Sequence, residues 1–144
     1  MTPVLLDTGV IVALLDRSER HHERCKAALG SLSGPLMTCE AVIAEACYLL
    51  RGQAGASDAI LENLERGAFL LPYRLDESAP SVRALMKRYA RVPMDLADAC
   101  LVSLADSLNT GRILTLDSDF QVYRWRRTRA FEVLLDIEPR SRRG

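Results

Sequence analysis

The sequence predicts an α/β sandwich built around a mostly parallel sheet, and three observations support this. Short apolar runs alternate with longer helical stretches, the pattern of strands joined by crossover helices. Hydrophobic residues make up 49% of the 144, enough for a real core and too many for extensive disorder. The length suits one domain, placed at residues 1–137, with an arginine-rich polar tail over 138–144.

The elements follow in order. Pro3 to Leu6 is an apolar run ending at an acid and reads as a buried first strand. Thr8-Gly9 opens a helix through Val10–Leu15, and Glu19 to Leu32 forms a second with a polar outer face. Gly34-Pro35 breaks the chain before a short strand at Leu36-Met37-Thr38. Glu40 to Leu50 is a strongly apolar helix, and Ser57 is the expected N-cap of a helix reaching Arg66. Phe69-Leu70-Leu71-Pro72 reads as a third strand, Asp76 to Arg91 as an amphipathic helix, and Met94 to Asn109 as a long helix with Gly111 beyond its end. Ile113-Leu114-Thr115 is the fourth strand, followed by an acidic turn, and Phe131 to Leu135 is the fifth.

Charge and cysteine usage narrow the class. The formal net charge is +0, so no global basic field marks a nucleic-acid binder. Apart from Lys26 and Lys87 every cation is arginine, whose planar fork suits phosphate, although GC-rich codon usage produces the same bias. Cys25, Cys39, Cys47 and Cys100 show no CxxC spacing, and the two histidines, His21 and His22, sit on a polar stretch expected to face solvent, so zinc has weak support. No signal peptide is visible, and no apolar stretch approaches the roughly 20 residues that span a bilayer. The expectation is a cytoplasmic protein with no membrane association.

Most of the acids sit where solvated charges belong, but four do not. Asp7 follows Val4-Leu5-Leu6 and Asp117 follows Ile113-Leu114-Thr115-Leu116, both at the carboxyl ends of strands, where open α/β sheets hold their ligands. Glu45 and Asp98 interrupt apolar helices. A carboxylate in such a place needs a cation, a hydrogen-bond network or a metal. One such acid is readily explained by a buried arginine; four in one small domain are more economically explained by a shared site. Carboxylates without histidine or cysteine form a hard-oxygen site suited to Mg²⁺ or Mn²⁺. Such ions serve phosphoryl chemistry.

Four motifs then resemble, in order and over residues 4 to about 135, those of the PIN-domain nucleases, in particular the VapC-type toxins of toxin–antitoxin pairs. They are Leu6-Asp7-Thr8-Gly9-Val10, Glu40-Ala41-Val42-Ile43-Ala44-Glu45, Asp95-Leu96-Ala97-Asp98-Ala99 and Thr115-Leu116-Asp117-Ser118-Asp119-Phe120. The resemblance implies a three-layer sandwich with a central sheet of four to five strands. It also implies a metal-dependent endoribonuclease whose acids Asp7, Glu45, Asp98 and Asp117 hold Mg²⁺ or Mn²⁺ and activate water. Thr8 would orient a ligand or water, and Thr115 would position the neighbouring acids. Asp119 competes with Asp117 for the fourth place. Asp95, one turn from Asp98, either supports the site or is an ordinary N-terminal helix acid. The implied partners are an RNA substrate, a small antitoxin protein covering an apolar groove near Val10–Leu15, Val42–Leu50 and Ile60–Leu64, and a second copy of the chain.

Other readings stand beside this one. A PIN-like module could bind protein or RNA without cutting, and a free-standing RNA-processing nuclease would have no antitoxin. Phosphatases that form an aspartyl-phosphate need an acid where Gly9 stands, and phospho-receiver domains need a lysine at a late strand end, whereas Lys87 lies in a predicted helix. From residue 120 onward seven arginines outnumber three acids, and Arg124, Arg126 and Arg127 bracket Trp125. This group, with Arg129 on the same side of the tryptophan as Arg127, either tracks an RNA backbone, with Trp125 stacking on a base, or is a solvated loop anchored by its tryptophan.

Overall fold

The computed structural model describes residues 1–135. Strand β1 (Val4–Leu6) leads directly into helix α1 (Thr8–Leu15), followed by α2 (His22–Ser31), β2 (Leu36–Met37), α3 (Glu40–Leu49) and α4 (Ala56–Glu65). Helices α5 (Leu75–Arg88) and α6 (Leu96–Leu108) precede β3 (Arg112–Leu114) and a 3₁₀ turn (Ser118–Gln121). A ribbon of β4 (Arg124–Trp125) and β5 (Arg129–Ala130) follows, and then β6 (Glu132–Val133). The end of the predicted domain at 137 and the tail with Arg140, Arg142 and Arg143 lie outside the described residues.

The four-stranded sheet is parallel throughout, in the order β2-β1-β3-β6. Its register pairs Leu5 with Met37 on one side and with Ile113 on the other. Helices cover both faces, so strand residues are buried without alternation: Val4, Leu5, Ile113 and Leu114 are all fully buried. The chain leaves β1 toward β2 and returns to β3 on the opposite side. This reversal makes the carboxyl ends of β1 and β3 the switch point of the sheet, the place where such folds bind ligands.

Several expected elements shift, for local reasons. The third strand shrinks to a single bridge between Met37 and Leu70 at the sheet edge, because Pro72 has no N–H to extend the ladder. Helix α4 starts at Ala56 behind a left-handed Gly55 (φ 79°), which places Ser57 inside it. The second helix starts at His22, after a turn. His22 Nδ1 meets the Ala13 carbonyl of α1 at 2.7 Å, so this histidine packs inward and does not face solvent. Helix α6 begins at Leu96, two residues later than expected, with Asp95 as N-cap.

The β4–β5 ribbon was not foreseen. Its turn carries Arg126 and Arg127 at φ 43° and 67°, where hairpins normally use asparagine and glycine. A left-handed conformation costs a non-glycine residue about 1–2 kcal/mol. The ribbon is anchored by Trp125, only 8% exposed, whose indole N–H donates to the Ala130 carbonyl at 3.2 Å. Gly111 lies directly beneath that ring, and any Cβ there would collide with the indole Nε1, Cδ1 and Cε2 atoms. At the end of α6 the left-handed residue is Asn109 (φ 54°); Gly111 serves to leave room. Gly111→Ala is therefore expected to unseat the ribbon and lower stability by about 1–3 kcal/mol. Urea unfolding at constant m-value measures the loss, and a midpoint unchanged from wild type would disprove the packing argument.

Candidate active site

Asp7 ends β1 and caps α1. Its Oδ1 accepts the Thr8 N–H at 2.8 Å, the usual way an aspartate satisfies a free helix-end donor. Its Oδ2 accepts the Thr115 hydroxyl at 2.6 Å. The same Thr115 oxygen accepts the Asp117 N–H at 2.9 Å. One fully buried threonine at the end of β3 therefore sets both the Asp7 carboxylate and the backbone of Asp117.

Asp98 stands in the first turn of α6, with its N–H donating to Asp95 Oδ1 at 2.8 Å. An acid there is favoured by the helix dipole, so Asp98 is less misplaced in its helix than the sequence suggested. Its side chain is nonetheless only 7% exposed. Asp98 Oδ2 accepts the Tyr123 hydroxyl at 2.9 Å. Tyr123 has no exposed surface and sits edge-on to Tyr89 and Phe120, both with ring centroids at 5.1 Å. Sequence reasoning missed this residue. Its one signal was a phenol closely following the acidic turn, in a stretch where Trp125 drew the attention.

Asp7, Glu45, Asp95, Asp98 and Asp117 all line one open cleft of about 320 Å³, together with Thr8. Asp119 does not line it; its N–H donates to Asp117 Oδ1 at 2.9 Å. Asp95 is at once the N-cap of α6 and part of the cleft wall. The Thr8 hydroxyl is buried in this cleft, near enough to Glu45 to draw its carboxyl down but without a well-formed hydrogen bond, so water or a ligand would satisfy it. Among the described residues, no salt bridge joins Asp7, Glu45 or Asp98 to a cation. Nor do any three acidic, histidine or cysteine side chains stand close enough to enclose an ion as they are. The acids face a shared space without forming a closed shell.

The electrostatics follow from that crowding. Burial, reinforced by the charges of Asp117 and Glu45, pushes Asp7 up to about 6, against the pull of its two hydrogen bonds. Burial and the charges of Asp95 and Asp7 push Asp98 up to about 8, against the Tyr123 bond. Glu45 is raised by its burial and by Asp95. Burial also raises the Tyr123 hydroxyl, with Asp98 adding to the effect, so it remains a donor. A divalent cation would relieve this repulsion. The all-oxygen donor set and the unsatisfied Thr8 hydroxyl fit a hard ion such as Mg²⁺ or Mn²⁺.

The arginine group lies elsewhere. Arg126 N–H donates to Asp106, eight residues along α6 from Asp98 and hence about 12 Å away along the helix. Trp125 is turned inward onto Gly111 and is taken up by packing, which leaves the exposed Arg126 and Arg127 as the accessible part of that stretch.

A parallel α/β sheet with acids gathered at its switch point defines a ligand-binding α/β domain, and the chain's relationships give its family. Residues 4–126 match the PIN domain, and the chain belongs to that family. It is homologous to ribonuclease VapC26 of Mycobacterium tuberculosis (strain ATCC 25618 / H37Rv), with 30% identity over 116 residues, covering 79% of this chain and 86% of that protein. Its fold is similar to the crystal structure of Mycobacterium tuberculosis VapC20, described as a sarcin-ricin loop cleaving toxin. The TM-score is 0.75, with 18% identity, over 83% of this chain and 93% of VapC20.

The raised carboxyls carry a pH signature. Asp7 and Asp98 bind protons more tightly folded than unfolded, where their ordinary value is 3.8. The stability they contribute is full below that value and is lost as pH rises through about 6 and about 8. The melting temperature of the metal-free protein is expected to fall across this window. Asp98→Asn keeps an oxygen for Tyr123 and removes a charge, so at pH 8 to 9 it should melt higher than wild type, by a few degrees for roughly 1 kcal/mol. Scanning calorimetry in EDTA tests this; a lower melting temperature for Asp98→Asn would show that its charge stabilises the fold.

Proposed function

We propose that this chain is a Mg²⁺- or Mn²⁺-dependent endoribonuclease and the toxin of a toxin–antitoxin pair. The observation that carries the reading is the gathering of Asp7, Glu45, Asp98 and Asp117 around one cleft, with Asp7 and Asp98 protonating far above the ordinary carboxyl range. Membership of the PIN family and homology to a ribonuclease support it.

These four acids would hold the ion, which when bound polarises a phosphodiester and makes water a nucleophile near neutral pH. The chain's own groups do the positioning. Thr115 and the Thr8 N–H fix both oxygens of Asp7, and lone pairs remain on each for a ligand. Tyr123 occupies Asp98 Oδ2 and leaves Oδ1 for the cleft. The Thr8 hydroxyl, beside Glu45, would bind a water or a phosphate oxygen. Asp117, whose N–H is held by Thr115, completes the set, with Asp119 bracing it from outside the cleft.

The partner reading rests on an apolar groove and on exposed apolar side chains of α3 and α4. Ile11, Leu14 and Leu15 of α1 and Ile60 of α4 line an apolar groove with Leu29 and Leu36. Tyr48, Leu49 and Leu61 are more than half exposed on α3 and α4. A small antitoxin segment would cover such surface, and a second copy of the chain would share it. No helix among the described residues is long and apolar enough to cross a membrane.

Two measurements decide the proposal. Asp7→Asn should reduce RNA cleavage by orders of magnitude while the protein stays folded; full activity in this variant, or in excess EDTA, would refute the metal mechanism. Light scattering should report a dimer, and co-expression with the protein encoded by the adjacent gene should yield an inactive complex. A monomer with no such partner would make the chain a free-standing nuclease.

A further inference from the structure

A second cleft, of about 440 Å³, opens between α5 and the β4–β5 ribbon, lined by Ser81, Ala84, Leu85, Arg88, Asp106, Arg124 and Arg127. It brings three guanidinium groups to one place from two distant segments of the chain, against the single acid Asp106. That acid is itself engaged, accepting the Arg126 N–H at its Oδ1 and the Arg126 Nη2 at its backbone carbonyl. Among the described residues, none of the three lining arginines has a salt bridge.

Backbone carbonyls hold two of these arginines, Arg88 and Arg124, in place. Arg124 Nη1 donates to the carbonyls of Gln121, Val122 and Tyr123, at 2.9, 3.2 and 2.9 Å. Arg88 Nη2 donates to the Arg127 carbonyl at 3.2 Å and so ties α5 to the ribbon turn. Each of these arginines is fixed by one nitrogen and keeps its other N–H donors for a ligand. The ribbon turn adds an independent sign. Arg126 and Arg127 are exposed and both left-handed, in a turn that glycine or asparagine would make without strain; bonds to Asp106 hold Arg126, while the Arg127 side chain is left to line the cleft. Strain kept at an exposed, charged position points to a use for the side chains.

We propose that this cleft binds a phosphodiester of the RNA substrate at a distance from the scissile bond, through Arg88, Arg124 and Arg127. This rests on the ribonuclease reading and extends it. The net charge of the cleft is positive, guanidinium forks match phosphate oxygens, and phosphate contacts position a strand without reading its sequence. Asp106 and Asp98 share helix α6, about 12 Å apart along its axis, a span that one RNA strand of a few nucleotides covers. The subsite holds the strand while the carboxylate cleft, which repels phosphate until a cation enters, receives the scissile group.

The test uses the full chain and a labelled single-stranded RNA oligonucleotide, with binding measured in EDTA so that nothing is cut. Arg88→Gln and Arg127→Gly should each weaken binding roughly fivefold to tenfold. Each should also make the dependence of log K on log salt shallower by about 0.7, the value of one lost single-strand phosphate contact. Arg127→Gly relieves the left-handed turn and should melt higher than wild type, so its weaker binding cannot come from unfolding. Arg124 is left intact because it holds three carbonyls. Arg83→Gln, an exposed α5 arginine outside the cleft, is the control and should bind like wild type. If wild type binds and cleaves RNA but both variants keep its affinity and salt slope, or Arg83→Gln loses as much, the subsite is refuted and the nuclease reading stands. If wild type neither binds nor cleaves, both fall. A poly-glutamate peptide whose binding is lost in the variants while RNA binding is not would assign the cleft to an acidic protein instead.

Discussion

The hydroxyl of Thr115 is the joint on which the site depends. It donates to Asp7 Oδ2 and accepts from the Asp117 N–H, and so links the ends of two adjacent strands that lie 108 residues apart in sequence. Strand pairing alone brings Leu6 beside Leu114 but sets no side chain. The buried hydroxyl converts that register into a fixed carboxylate. Asp7 is then held from both sides, by a helix N–H and by Thr115, and neither oxygen can turn away from the cleft without losing a bond. The position suits threonine, whose branched methyl side fills a fully buried strand end while its oxygen serves two partners.

The surrounding scaffold makes a local loss tolerable. Gathering carboxylates at low exposure is unfavourable, as the raised protonation of Asp7, Glu45 and Asp98 records. Two helix N-termini, those of α1 and α6, meet this crowd with their free N–H groups and dipoles. Tyr89 and Phe120 pack edge-on against Tyr123, Phe131 packs on Phe120, and Tyr123 gives its phenol to Asp98. Stability is supplied by the core and given up at the cleft, the usual division in a domain whose site must attract something from solution.

Much of this was legible in the sequence. Apolar runs buried on both sides announce parallel strands, so β1, β2 and β3 could be placed from Val4-Leu5-Leu6, Leu36-Met37 and Ile113-Leu114. Acids that follow such runs fall at carboxyl ends by construction, which located Asp7 and Asp117. Glu45 and Asp98 stood out by contrast with their neighbours. What stayed hidden depends on contacts rather than pattern. The β4–β5 ribbon turns on two arginines and a threonine, residues that carry none of the usual turn chemistry. The seat of Trp125 on Gly111 is a matter of shape, and a glycine just past a helix reads more naturally as its terminator. Tyr123 has no distinguishing neighbour; only the fold shows that its hydroxyl reaches a carboxylate 25 residues away.

The wide sequence separation between Asp7 and Thr115 has a consequence during synthesis. A ribosome delivers Asp7 108 residues before Thr115, and β1 lacks its β3 neighbour for all of that time. Closing so long a loop is slow compared with forming the helices between, since non-local pairing must meet its entropy cost before it gains contacts. A nascent chain that ends before β3 holds Asp7, Glu45 and Asp98 without Thr115, Asp117 or Tyr123. The set of acids is thus completed only when the β3 end, with Thr115 and Asp117, has been made and paired with β1.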